Sequence, residues 1–373
     1  MKIVFTGGVT GGHFYPIIAV AEAIREICKA KKIIEPNLYF FAPDPYNEKL
    51  LFDNKIIYKK IPAGKMRIYF SILNFSDWFV TVTGIIRALW TMFWLYPDVV
   101  FSKGGSGSFP VLFAAKMLGI PIIIHESDSA PGRANLYFAK SAKKIAVSYP
   151  EAADFFPKDK TAWTGNPIRK SLRIPVTDGA AEYLGLKKNI PTILILGGSQ
   201  GSEIINNMIL DSLPVLVEKY QVIHQVGKNN FEDFRKISDI TLKNSQTKER
   251  YKLYSYLDDL AMKMSAGAAD LVISRAGSTI FEIANWKKPS ILIPISESNN
   301  DHQRKNAYIY ARTGAAIVME ESNMSDNILL EEIERILDNS EIKNKMIESA
   351  RSFTKDNSAE IIAEEILLLG IKH

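Results

Sequence analysis

The sequence predicts an α/β fold built from two doubly wound parallel sheets in tandem. Short apolar runs alternate with segments of helical periodicity, beginning with "KIVFTG", "NLYFFA" and "DVVFSK". Such runs are typical of parallel strands that are buried on both faces and connected by helices. Near residue 166 the pattern starts again, since "PTILILGGSQGSEIINNMIL" repeats the opening order of strand, glycine loop and helix. A chain of 373 residues also exceeds one ordinary core, so two domains are expected.

The remaining runs continue this alternation along both halves. In the first half, "PIIIHE" and "KIAVSY" are further predicted strands, and residues 14–30 carry apolar side chains at helical spacing. In the second half, "VIHQVG", "ADLVISRAG" and "PSILIPIS" continue the series, and residues 358–369 predict a last helix. The predicted domains are residues 1–166, on which a C-terminal helix at about 352–373 packs back, and residues 167–351. Ligands bind at the carboxyl ends of the strands in such sheets, so two facing domains would hold one substrate between them.

Composition and charge narrow the class of protein. A hydrophobic content of 47% with 23% charged residues is typical of a soluble globular protein. One cysteine, Cys28, allows no disulfide framework, and the N-terminus runs into a strand without a signal peptide, which suits a cytoplasmic protein. Residues 1–166 hold 20 basic and 13 acidic residues, whereas residues 167–373 hold 26 and 28. We therefore expect only the first half to meet an anionic surface, and no nucleic-acid-binding motif accompanies its charge.

The loop after the first strand, in "FTGGVTGGHFYP", has the composition of an anion-binding loop. Its four glycines allow backbone N–H groups to approach an anion, usually a phosphate. His13 and Phe14 replace the Lys and Ser/Thr of a P-loop, and Val9 replaces the second glycine of the dinucleotide-binding fingerprint. Neither of those motifs is complete, although a phosphate ligand is still indicated.

Residues 68–97 interrupt the strand–helix pattern with an aromatic and aliphatic stretch that holds three of the five tryptophans. Asp77 and Arg87 lie within it, so a transmembrane helix is not expected. Just before it, residues 54–76 hold no acid and five basic residues: Lys55, Lys59, Lys60, Lys65 and Arg67. Basic residues beside aromatic ones are typical of a segment that lies on an anionic membrane. The alternative is a core helix beside a solvated basic loop; the positive first half favours the membrane.

Six motifs occur in one order along nearly the whole chain. They are "GGVTGGHFYP", "HESDSAPGRAN" at 125–135, "GNPIR" at 165–169, "GGSQGS" at 197–202, "SRAGSTIFEIA" at 274–284 and "DHQRKNA" at 301–307. Together they resemble the MurG family of bacterial glycosyltransferases, which add N-acetylglucosamine (GlcNAc) to lipid I to make lipid II. The resemblance implies the GT-B fold, in which two Rossmann-like domains face a central cleft. It also implies that the first domain binds the lipid acceptor and the second binds the UDP-sugar.

In the first domain, the resemblance implies that the first loop meets the diphosphate of the acceptor. Thr10, Gly11 and Gly12 would offer N–H groups at a helix N-terminus, where the dipole favours anions. Val9 stands where the family usually has glycine, which leaves the shape of the loop open. His13 is the candidate general base for the acceptor hydroxyl, because histidine titrates near neutral pH; helix capping or phosphate binding is its alternative role.

The second motif of this domain supplies a rival base and two polar candidates. Glu126 ends a predicted strand and competes with His13 for the role of base, while His125 is expected to be packed beneath the cleft. Asp128 stands where the family generally has asparagine, which keeps the acceptor oxygens and loses the amide donor. The resemblance implies that Asp128 and Asn135 are polar contacts in the cleft, the former near the donor sugar. Capping of a turn or a helix is the alternative for both.

In the second domain, the resemblance implies a UDP site around the glycine loop at residues 197–202. Ser199 and the neighbouring N–H groups would hold the diphosphate, and Arg169 would supply positive charge unless it is an ordinary exposed linker residue. Leu257, in "YLDDL", would contact uracil through its backbone. The remaining candidates lie in the last two motifs: Gly277, Ser278 and Thr279 at a helix start facing phosphate, Glu282 on the ribose hydroxyls and Gln303 on the sugar hydroxyls. A helix-borne glutamate is otherwise usually a solvated surface residue.

No metal or other cofactor is expected. The sequence has neither an Asp-x-Asp pair nor a clustered His/Cys spacing for a metal ion. The leaving UDP is therefore expected to be stabilised by N–H groups, helix dipoles and basic side chains.

The predicted function is inverting transfer of GlcNAc from UDP-GlcNAc to the C4 hydroxyl of MurNAc in undecaprenyl-diphosphate-MurNAc-pentapeptide, a step of peptidoglycan synthesis. The enzyme is expected to be peripheral, on the cytoplasmic face of the bacterial inner membrane. One alternative is another GT-B enzyme, with a different acceptor or with UDP-GlcNAc 2-epimerase activity, which needs no lipid-facing surface. The other is a non-catalytic, nucleotide-binding subunit that docks on the membrane. Such a subunit is expected to lose its polar site residues, yet His13, Glu126, Glu282 and Gln303 are present.

Overall fold

The chain folds into two compact units, each built on one parallel sheet. The computed structural model describes residues 1–64, 73–198, 200–296, 298 and 301–372, with the backbone alone at positions 73 and 74. Unit 1 comprises Met1–Arg169 and Asn357–His373, and unit 2 comprises Lys170–Asp356. The end of the chain therefore belongs with the first half.

Unit 1 contains a seven-stranded sheet in the order β3-β2-β1-β4-β5-β6-β7, with every neighbouring pair parallel. Its strands are β1 (Lys2–Thr6), β2 (Asn37–Ala42), β3 (Ile56–Lys60), β4 (Val99–Ser102), β5 (Ile122–Glu126), β6 (Lys144–Val147) and β7 (Thr161–Trp163). Its helices are α1 (Gly11–Lys31), α2 (Glu48–Asp53), α3 (Leu73–Leu95), α4 (Phe109–Met117), α5 (Arg133–Phe138) and α15 (Ser358–Lys372). The strand order reverses between β1 and β4, and sheets of this kind bind ligands at that switch point.

Helix α1 is held on the sheet by a stripe of apolar side chains. Phe14, Ile17 and Ile24 are fully buried and share one core with the strands. Helix α15 packs against α1 and adds Ile362 and Ile366 to this core. Because both helices are anchored in this way, the N-terminus of α1 is fixed at the carboxyl end of β1.

Unit 2 repeats this plan with a six-stranded parallel sheet in the order β10-β9-β8-β11-β12-β13. Its strands are β8 (Thr192–Leu196), β9 (Gln221–Gln225), β10 (Tyr251–Tyr254), β11 (Leu271–Ser274), β12 (Ser290–Leu292) and β13 (Ala316–Val318). Its helices are α6 (Lys170–Arg173), α7 (Ala180–Leu184), α8 (Glu203–Lys219), α9 (Phe231–Thr241), α10 (Asp259–Ala268), α11 (Thr279–Asn285), α12 (His302–Arg312), α13 (Asp326–Leu337) and α14 (Ser340–Arg351). The switch point here lies between β8 and β11.

The predicted fold class is confirmed, and the four strands that the sequence patterns leave out share one property. They are β3, β7, β10 and β13, which are the edge strands of the two sheets. An edge strand is open to solvent along one side, so it needs no continuous apolar run. β3 illustrates this, because its sequence "IIYKK" ends in two exposed lysines.

Helix α3 lies on the surface of unit 1 beside α4. Ala88 and Met92 are buried, and a Cβ atom on Gly84 would lie 1.9 Å from the carbonyl oxygen of Pro62, so the helix is packed closely along one face. Only 17% of its most apolar 18-residue window is buried. The alternative of a core helix is therefore wrong for this segment.

The exposed face of α3 is strongly aromatic. Trp78, Trp90 and Trp94 are 60%, 68% and 69% exposed, and the rings of Trp90 and Trp94 lie in edge-to-face contact 5.9 Å apart. By length and composition alone, Phe75–Leu95 suffices to cross a membrane, even though Asp77 and Arg87 lie within it. The helix is therefore longer and more apolar than expected from the sequence, where the two charged residues argue against a membrane span.

Candidate active site

In unit 1, two glycine loops meet at the carboxyl ends of β1 and β4. The first, residues 7–10, leads into α1, and the second, residues 104–108, leads into α4 and is not among the sequence motifs. Gly104 and Gly105 have φ angles of 77° and 80°, in the left-handed region that favours glycine. A Cβ atom on Gly107 would lie 2.7 Å from a backbone oxygen of the first loop. The two loops therefore form one glycine-lined surface at the switch point.

The structure brings Thr10, Gly11, Gly12 and His13 together at the N-terminus of α1. The helix begins at Gly11, and Thr10 is the residue before it. The N–H groups of a first helical turn have no earlier carbonyl partner within the helix, and the positive end of the helix dipole lies there. This geometry suits an anion such as a phosphate.

The His13 imidazole lies against both glycine loops. Thr10 Oγ1 is 2.8 Å from His13 Nδ1. A Cβ atom on Gly8 would lie 2.8 Å from Nδ1, and one on Gly105 would lie 3.3 Å from Nε2. The ring occupies this position because neither loop carries a side chain there. A hydroxyl accepts as readily as it donates, so Nδ1–H can donate to Thr10, which leaves Nε2 as the basic nitrogen.

Glu126 braces the loop that follows β5. Its Oε1 accepts a hydrogen bond from the Asp128 N–H at 3.0 Å, and its Oε2 accepts from the Gly132 N–H at 2.9 Å and from Asn135 Nδ2 at 2.8 Å. Burial raises the pKa of the Glu126 carboxyl, and the charge of Asp128 acts in the same direction, while the hydrogen bonds oppose both. Glu126 and Asn135 are buried, and Asp128 is half-buried on the braced loop.

A lysine that the sequence motifs do not include, Lys103, lies buried between β4 and the second glycine loop. Its Nζ is 2.5 Å from both His125 Nδ1 and Ser127 Oγ, and 3.5 Å from Asn166 Oδ1. His125 Nε2 lies 3.0 Å from the carbonyl oxygen of Gly165 and donates to it, so Nδ1 accepts from the lysine. Burial lowers the pKa of Lys103 to about 7, against the opposing charges of Glu126 and Asp128. The sequence "SKGG" indicates only the end of a strand and does not predict that Lys103 is buried.

Burial and the Lys103 charge also lower the pKa of His125 well below its usual value. His125 is fully buried, in agreement with a packing role beneath the site. Arg169 is likewise buried, since it is 6% exposed and its guanidinium lies 4.0 Å from the centre of the Tyr15 ring on α1. The alternative of an ordinary exposed linker arginine is therefore wrong for Arg169.

In unit 2, the loop at residues 197–202 leaves β8 and enters α8. Gly198 and Gly201 have φ angles of 87° and 80°, and the Ser202 Oγ caps α8 by accepting from the Ile205 N–H at 3.3 Å. A Cβ atom on Gly201 would lie 2.0 Å from the carbonyl oxygen of Val226, so the loop rests directly on the end of β9. Ser199 lies outside the described residues.

Arg275 directly follows β11 and connects this loop to the segments that follow β12 and β13. Its Nη2 donates to Ser202 Oγ at 2.6 Å, and its Nη1 donates to the Ile293 carbonyl at 3.0 Å and pairs with Glu321 at 2.6 Å. Burial acts to raise the pKa of Glu321, but hydrogen bonds from Ser296 and the pairing with Arg275 hold it below its usual value. Arg275 lies inside the "SRAGSTIFE" motif, whose composition alone does not show which residue supports the loop.

The other predicted donor-site residues lie at the carboxyl edge of the same sheet. Gly277 and Ser278 precede α11, Thr279 begins it, and Glu282 is half-buried in its first turn. Leu257 follows β10; its side chain is in the core, and its N–H donates to Gln225 Oε1 at 2.9 Å.

Gln303 lies in the first turn of α12. Its Oε1 accepts a hydrogen bond from the Ile295 N–H at 3.2 Å, and its own N–H donates to Ser298 Oγ at 3.2 Å. The side-chain oxygen is therefore engaged by the loop after β12.

Comparisons with known proteins show the family to which the chain belongs. The glycosyltransferase family 28 N-terminal domain matches residues 3–147, and the family 28 C-terminal domain matches residues 192–362. The chain is 35% identical to a UDP-N-acetylglucosamine–N-acetylmuramyl-(pentapeptide) pyrophosphoryl-undecaprenol N-acetylglucosamine transferase of Treponema denticola, over 97% of this chain and 96% of that protein. A Bacillus thuringiensis transferase of the same name is also 35% identical, over 92% of this chain and 93% of that protein.

Solved structures share this fold over nearly the whole chain. The crystal structure of Acinetobacter baumannii MurG superposes with a TM-score of 0.72 at 25% identity, covering 99% of this chain and 100% of that one. A UDP co-structure of S. aureus MnaA superposes with a TM-score of 0.67 at 15% identity, covering 100% of this chain and 98% of that one, and shows a shared fold alone.

Proposed function

Since the chain belongs to glycosyltransferase family 28, in the group of transferases that convert lipid I to lipid II, we propose that it transfers GlcNAc from UDP-GlcNAc to a lipid-linked MurNAc-pentapeptide. The observation that carries this proposal is the full-length similarity to transferases of that name, combined with a glycine loop at the switch point of each sheet. The acceptor sugar reacts through its C4 hydroxyl, and the anomeric carbon is inverted.

We assign the acceptor diphosphate to unit 1. The N-terminus of α1, at Thr10, Gly11 and Gly12, supplies N–H groups and a positive dipole end for it. The neighbouring second glycine loop, with Gly104 and Gly105, extends the same surface. Asp128 is assigned to a contact near the donor sugar, and Asn135 is a second polar candidate on the helix that follows, although the hydrogen bond of Asn135 to Glu126 favours a bracing role for Asn135.

We assign the role of general base to His13 rather than Glu126. His13 is only half-buried and lies against both glycine loops, whereas both Glu126 oxygens already accept hydrogen bonds from their own loop. A base must be within hydrogen-bond reach of the proton that it removes. The contact with Thr10 fixes the ring so that Nε2 takes the proton of the attacking hydroxyl.

The donor is assigned to unit 2. The loop at residues 197–202, including Ser199, holds the diphosphate together with Gly277, Ser278 and Thr279 at the start of α11. Glu282 accepts from the ribose hydroxyls, Leu257 faces uracil, Gln303 contacts the sugar, and Arg169 adds positive charge. Support comes from the carboxyl-edge location of Leu257, the start of α11 and Gln303, which is where such sheets bind nucleotides. Arg169 belongs to unit 1, and its assignment rests on the family resemblance.

We propose that α3 is the membrane-contacting element. Its exposed tryptophans form an apolar surface, and Lys55, Lys59 and Lys60 are exposed at the neighbouring sheet edge, while Lys65 and Arg67 lie outside the described residues. The segment that follows β3 contacts α3, since the Gly64 N–H donates to Thr81 Oγ1 at 3.2 Å. Because one face of α3 is packed on the protein, we assign it to the membrane surface, on the cytoplasmic side, rather than across the bilayer.

The proposal is tested by incubating the protein with purified lipid I and a series of UDP-sugars. We expect lipid II to form with UDP-GlcNAc and not to form with UDP-glucose. If UDP-GlcNAc is instead converted to UDP-N-acetylmannosamine without any acceptor, the protein is an epimerase and the proposal fails. Binding of UDP with no turnover on lipid I would identify a non-catalytic subunit.

A further inference from the structure

A buried glutamine, Gln225, connects two parts of unit 2 that the proposed donor site uses. It ends β9 and is 4% exposed. Its Nε2 donates to the carbonyl oxygen of Gly198 at 3.1 Å, and its Oε1 accepts from the Leu257 N–H at 2.9 Å. One side-chain amide thus holds the glycine loop and the segment at residues 256–260 at a fixed separation.

The sheet order explains why a residue at this position reaches both parts. Strand β9 lies between β8 and β10, and Gln225 is in register with Leu196 on one side and Tyr254 on the other. The chain runs from Leu196 into the glycine loop and from Tyr254 into the segment that holds Leu257. A side chain at the end of the middle strand therefore has one of these loops on each side.

Only an amide fits this position well. It offers one donor and one acceptor in a neutral planar group. A carboxylate would keep the acceptor for Leu257 but set a second negative oxygen against the Gly198 carbonyl. An aliphatic side chain would leave the Leu257 N–H without its partner in a residue that is 2% exposed, which is costly for a buried donor.

We infer that Gln225 is a positioning residue for the sugar-nucleotide donor. It sets the distance between the loop that binds the diphosphate and the backbone that faces uracil, without touching the ligand itself. This inference rests on the proposed function. Because UDP must meet both parts at once, losing the amide bridge weakens the binding of UDP.

The experiment measures UDP affinity by calorimetry, between about pH 5.5 and pH 8, as a ratio to the wild type at each pH. Gln225→Glu should weaken binding roughly tenfold or more at the high end, where the introduced carboxyl is ionised. Affinity should recover as the pH falls, since the protonated carboxyl again donates to Gly198, and burial raises the pKa of such a group. Gln225→Met removes both hydrogen bonds, so its loss should not depend on pH.

Gln221, at the other end of the same strand, provides a matched control. It is 2% exposed; its Oε1 accepts from the Lys187 N–H at 2.6 Å, and its Nε2 donates to the carbonyl oxygens of Lys187 and Ile190 at 3.0 and 3.1 Å. Gln221→Glu and Gln221→Met therefore break a comparable buried bridge away from the proposed site. We expect both to lower stability and to keep the UDP affinity of the wild type at every pH.

Each outcome bears on the inference. Unchanged UDP affinity in folded Gln225 variants, or an equal loss in the Gln221 variants, overturns it. Should Gln225→Glu fail to fold, the comparison of Gln225→Met with Gln221→Met decides, because each removes a buried amide bridge and only the former lies at the end of β9 beside the proposed site. If the wild type itself does not bind UDP, the proposed donor site fails rather than the role of Gln225.

Discussion

At the scale of single residues, His13 and Glu126 are distinguished by what their polar atoms already contact. We predict that His13→Ala lowers kcat by roughly 10²–10⁴-fold, because the acceptor hydroxyl loses its base, while UDP affinity stays unchanged. We predict that Glu126→Gln lowers the free energy of unfolding by about 1–3 kcal/mol. The carboxylate accepts three N–H hydrogen bonds, and in the variant the amide NH₂ would face at least one of these donors.

Steady-state kinetics on a water-soluble lipid I analogue and urea unfolding separate these two effects. The His13 variant should unfold at the urea concentration of the wild type. A Glu126→Gln protein with normal stability but no turnover, beside an active His13→Ala protein, would transfer the role of base to Glu126.

Lys103 gives a prediction for pH dependence. Burial lowers its pKa in the folded protein to about 7, below the usual lysine value of 10.5. Between these two values the unfolded chain binds one more proton than the folded chain, so the contribution of Lys103 to stability rises with pH by up to about 1.4 kcal/mol per pH unit. From about pH 7 to pH 9, we expect the wild type to gain roughly 2 kcal/mol relative to Lys103→Met.

Urea unfolding of both proteins at several pH values measures this difference. The methionine variant removes the titrating group and keeps an unbranched side chain of similar length. Parallel curves for the two proteins would mean that Lys103 retains its proton in the folded state, held by Glu126 and Asp128.

The sequence predicts the residues that contact a ligand better than it predicts the residues that hold those contacts in place. The two glycine pairs before His13 are visible because they are close together in the sequence. Lys103, Arg275 and Gln225 act through partners that are distant in sequence, such as His125, Glu321 and Leu257. Only the sheet register brings those partners together, so no local pattern reveals them.

At the scale of secondary-structure elements, α3 and β3 together form the proposed membrane surface. Each basic residue near an anionic bilayer contributes about 1 kcal/mol, an attraction that salt screens, whereas the exposed tryptophans contribute an apolar term that salt does not screen. We predict binding to anionic vesicles that weakens with salt but persists. Reversing Lys55, Lys59 and Lys60 to Glu should reduce vesicle binding and lipid I turnover and leave UDP affinity unchanged.

Vesicle flotation at low and high salt measures the binding. A matched control reverses three exposed lysines of unit 2, Lys243, Lys287 and Lys345, and changes the net charge equally. If both triple variants bind vesicles alike, net charge rather than the β3 edge governs attachment. Equal binding of the β3 variant and the wild type would exclude this edge from the membrane surface.

The elements also show where periodicity succeeds and fails. Central strands such as β1 and β8 are buried on both faces, so their apolar runs identify them. The sequence of the edge strand β3 is recognised only as part of a basic run, because Lys59 and Lys60 at its end are both exposed. The aromatic stretch could be recognised as unusual from its tryptophans, yet its exposure depends on packing against α4, which the sequence does not specify.

At the scale of the whole molecule, the repeated design determines what both sheets can bind. The first six strands of unit 1 and the six strands of unit 2 follow the same order, and each unit has a glycine loop after its first strand. This repetition made the fold class predictable, because the sequence restarts visibly near residue 166. The two halves differ in charge, with the excess of basic residues confined to residues 1–166. A lipid-linked anionic acceptor fits the basic half, and a soluble nucleotide donor needs no such excess.

The last prediction concerns how this molecule handles the charge of the leaving UDP. The sequence has no Asp-x-Asp pair, and in the described part of the chain no group of three or more His, Cys, Asp or Glu side chains is placed to hold a metal ion. We therefore expect glycine-loop N–H groups, helix N-termini and arginines to stabilise the departing diphosphate, in a site that is already organised before the reaction.

Transfer of GlcNAc to lipid I should therefore continue in excess EDTA at the rate seen without it, and added magnesium or manganese should raise the rate by no more than about twofold. Assays on detergent-solubilised lipid I remove the separate effect of divalent ions on membrane charge. Loss of turnover in EDTA, restored by either ion, would mean that the donor carries a metal on its diphosphate and that the glycine loops alone do not neutralise it.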